Sequence, residues 1–222
     1  MSNRGERNPD RSFKKIYLLF SFATFFSFFL ALNLKKIIAL FGTDFNEGYY
    51  VILVMLFYPI HQVFGQSADA ILLSMEKTKL FKSLRICLTV FGFILTYILI
   101  APRNLILPGL ELGAFGLALK MVLGQVMDVH LRLFYSCKYI GLKFFSLLKK
   151  EISILFFAGG YYLLIDQVSK LIFGSSISNN GIVDLLLTLI IYSFLTLIII
   201  VIFPSIIACD HSDLRKISKG FK

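Results

Sequence analysis

Between residues 111 and 137 a mostly apolar run carries Lys120, Gln125, Asp128, His130 and Arg132 into a stretch long enough to cross a bilayer. A charge near the bilayer centre costs about 2.5–3.5 kcal/mol on the insertion scale, and chains that keep one there generally use it. At about 1.5 Å per helical residue, Lys120 lies about 13 Å into a hydrocarbon core about 30 Å thick, too deep to reach either surface easily. Residues four apart share a helix face, so Gly116, Lys120, Gly124 and Asp128 form one stripe that is small, cationic, small and acidic. Small residues let a neighbouring helix approach closely. Two readings follow for Lys120: a cation presented to an internal cavity, or half of an ion pair with a carboxylate on another helix. Asp128 and Arg132, at i and i+4, are expected to pair with each other.

A second apolar run, 49–74, holds His61, Gln62, Gln66 and Asp69. Gln62, Gln66 and Asp69 fall at i, i+4 and i+7 and share a face that needs protein or water beside it, not lipid. Pro59 removes a backbone hydrogen bond and should kink this helix one turn before that face. His61 is either a proton carrier within the membrane or a hydrogen-bonded core histidine. His130 and His211 lie elsewhere, no paired-cysteine or H-E-x-x-H pattern occurs, and no metal or cofactor is expected. No G-x-x-x-x-G-K-[ST] occurs either, and the chain is read as a non-enzyme.

The elements that must hold these residues follow from composition. The 222 residues are 57% hydrophobic and 16% charged, with 24 Phe, too little polar surface for a soluble domain of this size. The expected architecture is all-α: a bundle of about six membrane-spanning helices at 16–40, 49–74, 84–101, 111–137, 152–173 and 182–208. A basic leader, 1–15, reads as disordered and cytoplasmic, and a basic tail, 209–222, lies on the same side. The leader, the loops at 74–85 and 138–150, and the tail hold 17 of the 23 Lys and Arg, which places both termini in the cytoplasm. That bias accounts for the net charge of +10 without invoking nucleic acid. The mixed apolar and basic segment from Lys138 to Lys150 suits the cytoplasmic interface. Cys87, Cys137 and Cys209 fall at helix ends on that reducing side, so no disulfide is expected.

The order Leu40-Phe41-Gly42-Thr43-Asp44-Phe45, then Leu72-Leu73-Ser74-Met75-Glu76-Lys77-Thr78-Lys79, then Leu105-Ile106-Leu107-Pro108 before Leu112-Gly113-Ala114-Phe115-Gly116-Leu117-Ala118 resembles the C-terminal half of polysaccharide flippases. These belong to the multidrug, oligosaccharidyl-lipid and polysaccharide exporter superfamily, and the likeness covers about residues 40–139. It implies a bacterial inner-membrane transporter whose cargo is a lipid-linked oligosaccharide, such as an O-antigen unit on polyprenyl diphosphate, serving cell-surface polysaccharide biosynthesis. Members of the family have two six-helix lobes. On that template the first four helices here match the end of the second lobe and the last two an appended pair. The chain then acts as part of a transporter, with the first lobe supplied by a longer chain or a second subunit. Such a cargo needs a cation in the cavity, for which Lys120 is the candidate, with Gln62, Gln66 and Gln125 for sugar hydroxyls. A multidrug exporter-like half-transporter and a non-catalytic membrane subunit are the alternatives. A membrane-embedded glycosyltransferase would need larger outer loops than these.

Overall fold

The computed structural model describes residues 9–104, 107–173 and 181–202, all helical or in the turns between helices. The helices are α1 (Pro9–Phe41), α2 (Tyr49–Met55), α3 (Tyr58–Ser74), α4 (Thr78–Ile100), α5 (Gly113–Ile140), α6 (Phe144–Phe173) and α7 (Gly181–Ile202), with a 3₁₀ turn at Thr43–Gly48. No strand occurs among the described residues. Four segments are long and apolar enough to cross a membrane: Lys15–Phe41, Tyr49–Ser74, Thr78–Ile100 and Gly113–Ile140. In α7 the segment Leu185–Thr196 is apolar but shorter, so the described residues supply four spans where six were expected.

The chain divides into two compact units, Met1–Phe29 with Lys149–Lys222, and Leu30–Leu148. In the second, α5 is the central element and packs on α2, α3 and α4. The α3 face that meets it is a buried stripe at helical spacing: Ile60, His61, Phe64, Gly65, Ala68 and Leu72. The α5 face is Val129, Arg132, Leu133, Ser136 and Cys137. Gly65 sets how close they come, since a Cβ there would lie 2.9 Å from Val129 Cγ2. Ser136 Oγ, 2.9 Å from the Arg132 carbonyl and 3.1 Å from the Ala68 carbonyl, shares its proton between its own helix and α3.

In the first unit the core is aromatic. Phe25 and Phe29 of α1, Phe157 and Tyr161 of α6, and Tyr192 of α7 pack ring on ring, with Phe29 and Tyr192 centroids 5.1 Å apart and Tyr161 and Tyr192 5.2 Å apart. The Tyr192 hydroxyl donates to the Phe25 carbonyl at 2.7 Å, and the Tyr161 hydroxyl lies 3.1 Å from both the Tyr192 carbonyl and Thr196 Oγ1.

Several boundaries differ from expectation, each for a local reason. The helix expected at 49–74 is broken between α2 and α3, and Pro59 sits in the first turn of α3, where its missing N–H costs nothing. The third helix starts at Thr78 rather than at 84. A Schellman turn ends α3: Glu76 takes φ 57°, its N–H bonds the Leu73 carbonyl, and the Lys77 N–H bonds the Leu72 carbonyl. Nothing after it resists helix, because Lys and Arg are good helix formers, so Lys79, Lys82 and Arg85 lie on α4 and not in a loop. By the same logic the described end of the leader, residues 9–15, is helical rather than disordered, and Cys87 lies well inside α4. Likewise α5 extends to Ile140, and Gly141 at φ 79° is the only sharp turn before α6 begins at Phe144. Lys35 lies inside α1, with its ammonium 5.7 Å from the Tyr49 ring centre. Residues 1–8, the turn at 174–180, the end of the last expected helix at 203–208 and the tail at 209–222 lie outside the described residues.

The exit of α4 folds back on itself. The N–H groups of Leu110 and Leu112 bond the carbonyls of Ile98 and Leu99, and the Tyr97 hydroxyl donates to the Leu107 carbonyl at 2.8 Å. Helix-end carbonyls that would otherwise be orphaned are thereby satisfied, and the start of α5 is pinned to the end of α4. Gly116 is the close contact of this junction, because a Cβ there would lie 2.8 Å from the Leu99 carbonyl oxygen.

Candidate functional site: a charged cavity between α4 and α5

Along α4, Arg85, Thr89, Gly92 and Thr96 recur at helical spacing and line one wall of an open cavity of about 540 Å³. The opposite wall is α5, through Lys120, Gly124, Gln125 and Asp128. The volume lies within the range of small-molecule sites. Lys120 is partly buried, and its Cε would lie 3.9 Å from a Cβ built on Gly92, so a small residue on α4 makes room for the lysine stem. Among the described residues no carboxylate pairs with Lys120.

The glycine stripe on α5 divides by function. Gly116 is a packing contact, whereas Gly124 has no heavy atom within 4 Å of where its Cβ would be and opens onto the cavity. The same sequence feature therefore does two jobs, close approach at one end of the helix and empty space in the middle.

At the far end of the cavity from Lys120, four charges meet. Arg132 of α5, 3% exposed, is bonded through one terminal nitrogen to Asp69 of α3 and through the other to Asp128 of its own helix, while its Nε donates to the Asp128 carbonyl at 3.2 Å. Arg85 of α4 approaches the same two carboxylates from the cavity side, 3.3 Å from Asp69 and 3.6 Å from Asp128, with half its side chain exposed. Asp128 Oδ1 is buried and takes no hydrogen bond among the described residues. Two arginines and two aspartates sum to zero, so the cluster can be held away from water, and the cavity retains the charge of Lys120. Arg132 thus satisfies two helices at once, where the sequence led only to an i,i+4 pair with Asp128.

Gln125 lies in the cavity wall beside Lys120 and Asp128. Gln62 and Gln66 do not line the cavity: they are exposed on α3, beside the stripe that packs on α5. Asp69, grouped with them by spacing, is 22% exposed and turned to the arginines, because successive helical residues step by about 100° and the Ala68–Leu72 side is the one drawn onto α5. His61 is buried on α3, with its ring 5.5 Å from that of His130, whose Nδ1 lies 2.7 Å from the Val126 carbonyl oxygen. Arg85 is the cavity residue that sequence spacing missed. It looked like one of several cations of the basic loop at 74–85, and the packing of α4 on α5 turns it inward.

Comparison with protein-family profiles, with curated protein sequences and with solved structures finds no match. Fold and site therefore define the class directly: an all-helical chain with several helices fit to span a membrane and a cation-bearing cavity between two of them.

Proposed function

We propose that this chain is part of a transporter that moves a polyprenyl-diphosphate-linked oligosaccharide across the bacterial cytoplasmic membrane, with the cavity between α4 and α5 receiving the diphosphate. One observation carries the reading: Lys120, two turns inside the spanning helix α5, lines an open cavity with Gln125 beside it rather than packing against a carboxylate. An anion entering hydrocarbon needs a desolvated cation, and a lysine ammonium held at the rim of an open space is the chemistry that compensates it. The exposed pair Gln62 and Gln66 on a spanning helix supports a partner lobe, since lipid tails cannot satisfy primary amides. Six spans with both termini cytoplasmic belong to this proposal and rest on the lysine and arginine bias. A multidrug exporter-like half-transporter is the second reading, favoured by Asp128 in the cavity wall, although both neighbours of that carboxylate are arginines.

The test is Lys120→Gln in the full chain with the partner lobe supplied, reading membrane abundance and translocation of lipid-linked oligosaccharide together. Lost transport at normal abundance is the expected result. Undiminished transport would remove the diphosphate reading. Topology is tested separately: Asn46→Cys and Asn179→Cys should react with an impermeant thiol reagent in intact cells, and labelling of Lys79→Cys would reverse the orientation.

A further inference from the structure

Arg85 stands apart from the other three members of the charge cluster. Arg132 is buried and bonds both carboxylates directly, whereas Arg85 is half exposed, at longer distances, and lines the cavity that Lys120 also lines. Removing Arg132 would leave Asp69 and Asp128 to share the more distant, half-exposed Arg85. Removing Arg85 would strand neither, because Arg132 still reaches both. The cluster is therefore built around one fixed arginine and one that can leave.

Where it can go is set by α4. Arg85, Thr89 and Gly92 fall on one face, and Gly92 is opposite the stem of Lys120. Seven residues of helix separate Arg85 from Gly92, about 10 Å along the axis, within the combined reach of an arginine and a lysine side chain extended toward each other. Between them α4 lines the cavity with Leu88 and Thr89, and Thr89 turns its hydroxyl to the Arg85 carbonyl at 2.8 Å.

We propose that Arg85 is a second anion ligand of this cavity, held in reserve by Asp69 and Asp128, and that a phosphate or diphosphate group bound at Lys120 draws it out of the charge cluster. The inference rests on the reading of the cavity as an anion site, and adds to it the residue that completes the site and the competition that sets its affinity. Arginine is suited to the task, since its planar guanidinium meets a phosphate through two parallel hydrogen bonds as readily as it meets a carboxylate. The two aspartates act as internal competitors: they mimic the ligand in the empty cavity and keep Arg85 from being left without a counter-charge.

This arrangement has an unusual consequence. An acidic residue that touches no ligand should weaken anion binding, and its neutralisation should tighten it by way of Arg85. The experiment is a double-mutant cycle on the full chain in nanodiscs, titrated with farnesyl diphosphate and with farnesol as the uncharged control. Arg85→Gln and Lys120→Gln are each expected to weaken diphosphate binding about tenfold or more, with farnesol unchanged. Asp69→Asn, which leaves Arg132 its Asp128 partner, is expected to tighten binding severalfold, and Arg85→Gln in the same chain is expected to abolish most of that gain. Equal tightening by Asp69→Asn with and without Arg85 would mean the aspartate acts only through the general field, and would overturn the exchange. Weakening by Lys120→Gln with no effect of Arg85→Gln would leave the anion site standing and remove Arg85 from it. Failure of the unmodified chain to prefer farnesyl diphosphate over farnesol would overturn the anion site and this inference with it. Thermal unfolding of each variant accompanies the titrations, and Arg85→Lys serves as a second variant that keeps the charge and loses the paired geometry. Its expected affinity is intermediate.

Discussion

In the unit formed by residues 30–148, a charge cluster joins α3, α4 and α5 beside their apolar contact. In the unit formed by residues 1–29 and 149–222, the side chains tying α1, α6 and α7 are aromatic rings and hydroxyls. The two kinds of join fail differently. A ring cluster with neutral hydrogen bonds loses stability in small steps, because each hydroxyl removed leaves a neutral carbonyl that already serves its own helix. A charge cluster is close to all-or-none for its central member, because a carboxylate left alone in a low-dielectric interior has no cheap alternative. The charged join borders a cavity, and that is where a ligand can exchange partners with the protein.

The sharpest way to break this contrast is at Arg132. Arg132→Leu should destabilise the chain by about 3–5 kcal/mol, by leaving two carboxylates to one half-exposed arginine, and adding Asp69→Asn should recover much of it because Arg85 then has only Asp128 to serve. Thermal unfolding in detergent with abundance in membranes reads both. Recovery absent in the double variant would show that packing, not charge, makes Arg132 necessary.

Next come the two close approaches in the charged unit. Gly116→Ala and Gly65→Ala should each cost about 1–3 kcal/mol, the first against the Leu99 carbonyl and the second against Val129. Gly65→Ala is expected to be the milder, since a valine side chain can give way more easily than a backbone carbonyl. The reverse order would show that the α4 exit, not the α3 contact, is the part that yields.

The neutral join should respond less. Tyr192→Phe keeps the ring contacts with Phe29 and Tyr161 and removes the bond to the Phe25 carbonyl, a loss of about 0.6 kcal/mol and at most about 1.7. A loss comparable to that of Arg132→Leu would erase the distinction between the two units. At the far end of the scale, Gly124→Leu should leave unfolding unchanged or raised by up to about 1 kcal/mol, because the new side chain meets open space and leucine favours helix. Its effect should fall on the cavity: farnesyl diphosphate binding is expected to drop as the space fills. Retained binding would show that the ligand site lies elsewhere.

Hydrophobic runs, proline and the lysine distribution were enough to read an all-helical chain with spanning segments, because a helix that must live in lipid shows its length and its breaks in one dimension. Lys120 and Gln125 stood out for the same reason: polar residues deep in an apolar run are visible without a partner. What one dimension hid was which way α3 and α4 turn. Gln62, Gln66 and Asp69 share a spacing, yet Gly65 lets α3 settle on α5 so that only Asp69 reaches Arg132. Arg85 read as one more cation of a basic loop, and the packing of α4 beside α3 and α5 carries it to the two aspartates. Pairing between residues 16 to 63 positions apart depends on helix rotation and on the few contacts close enough to fix it. Those are properties of the packed bundle, and no periodicity in a single helix contains them.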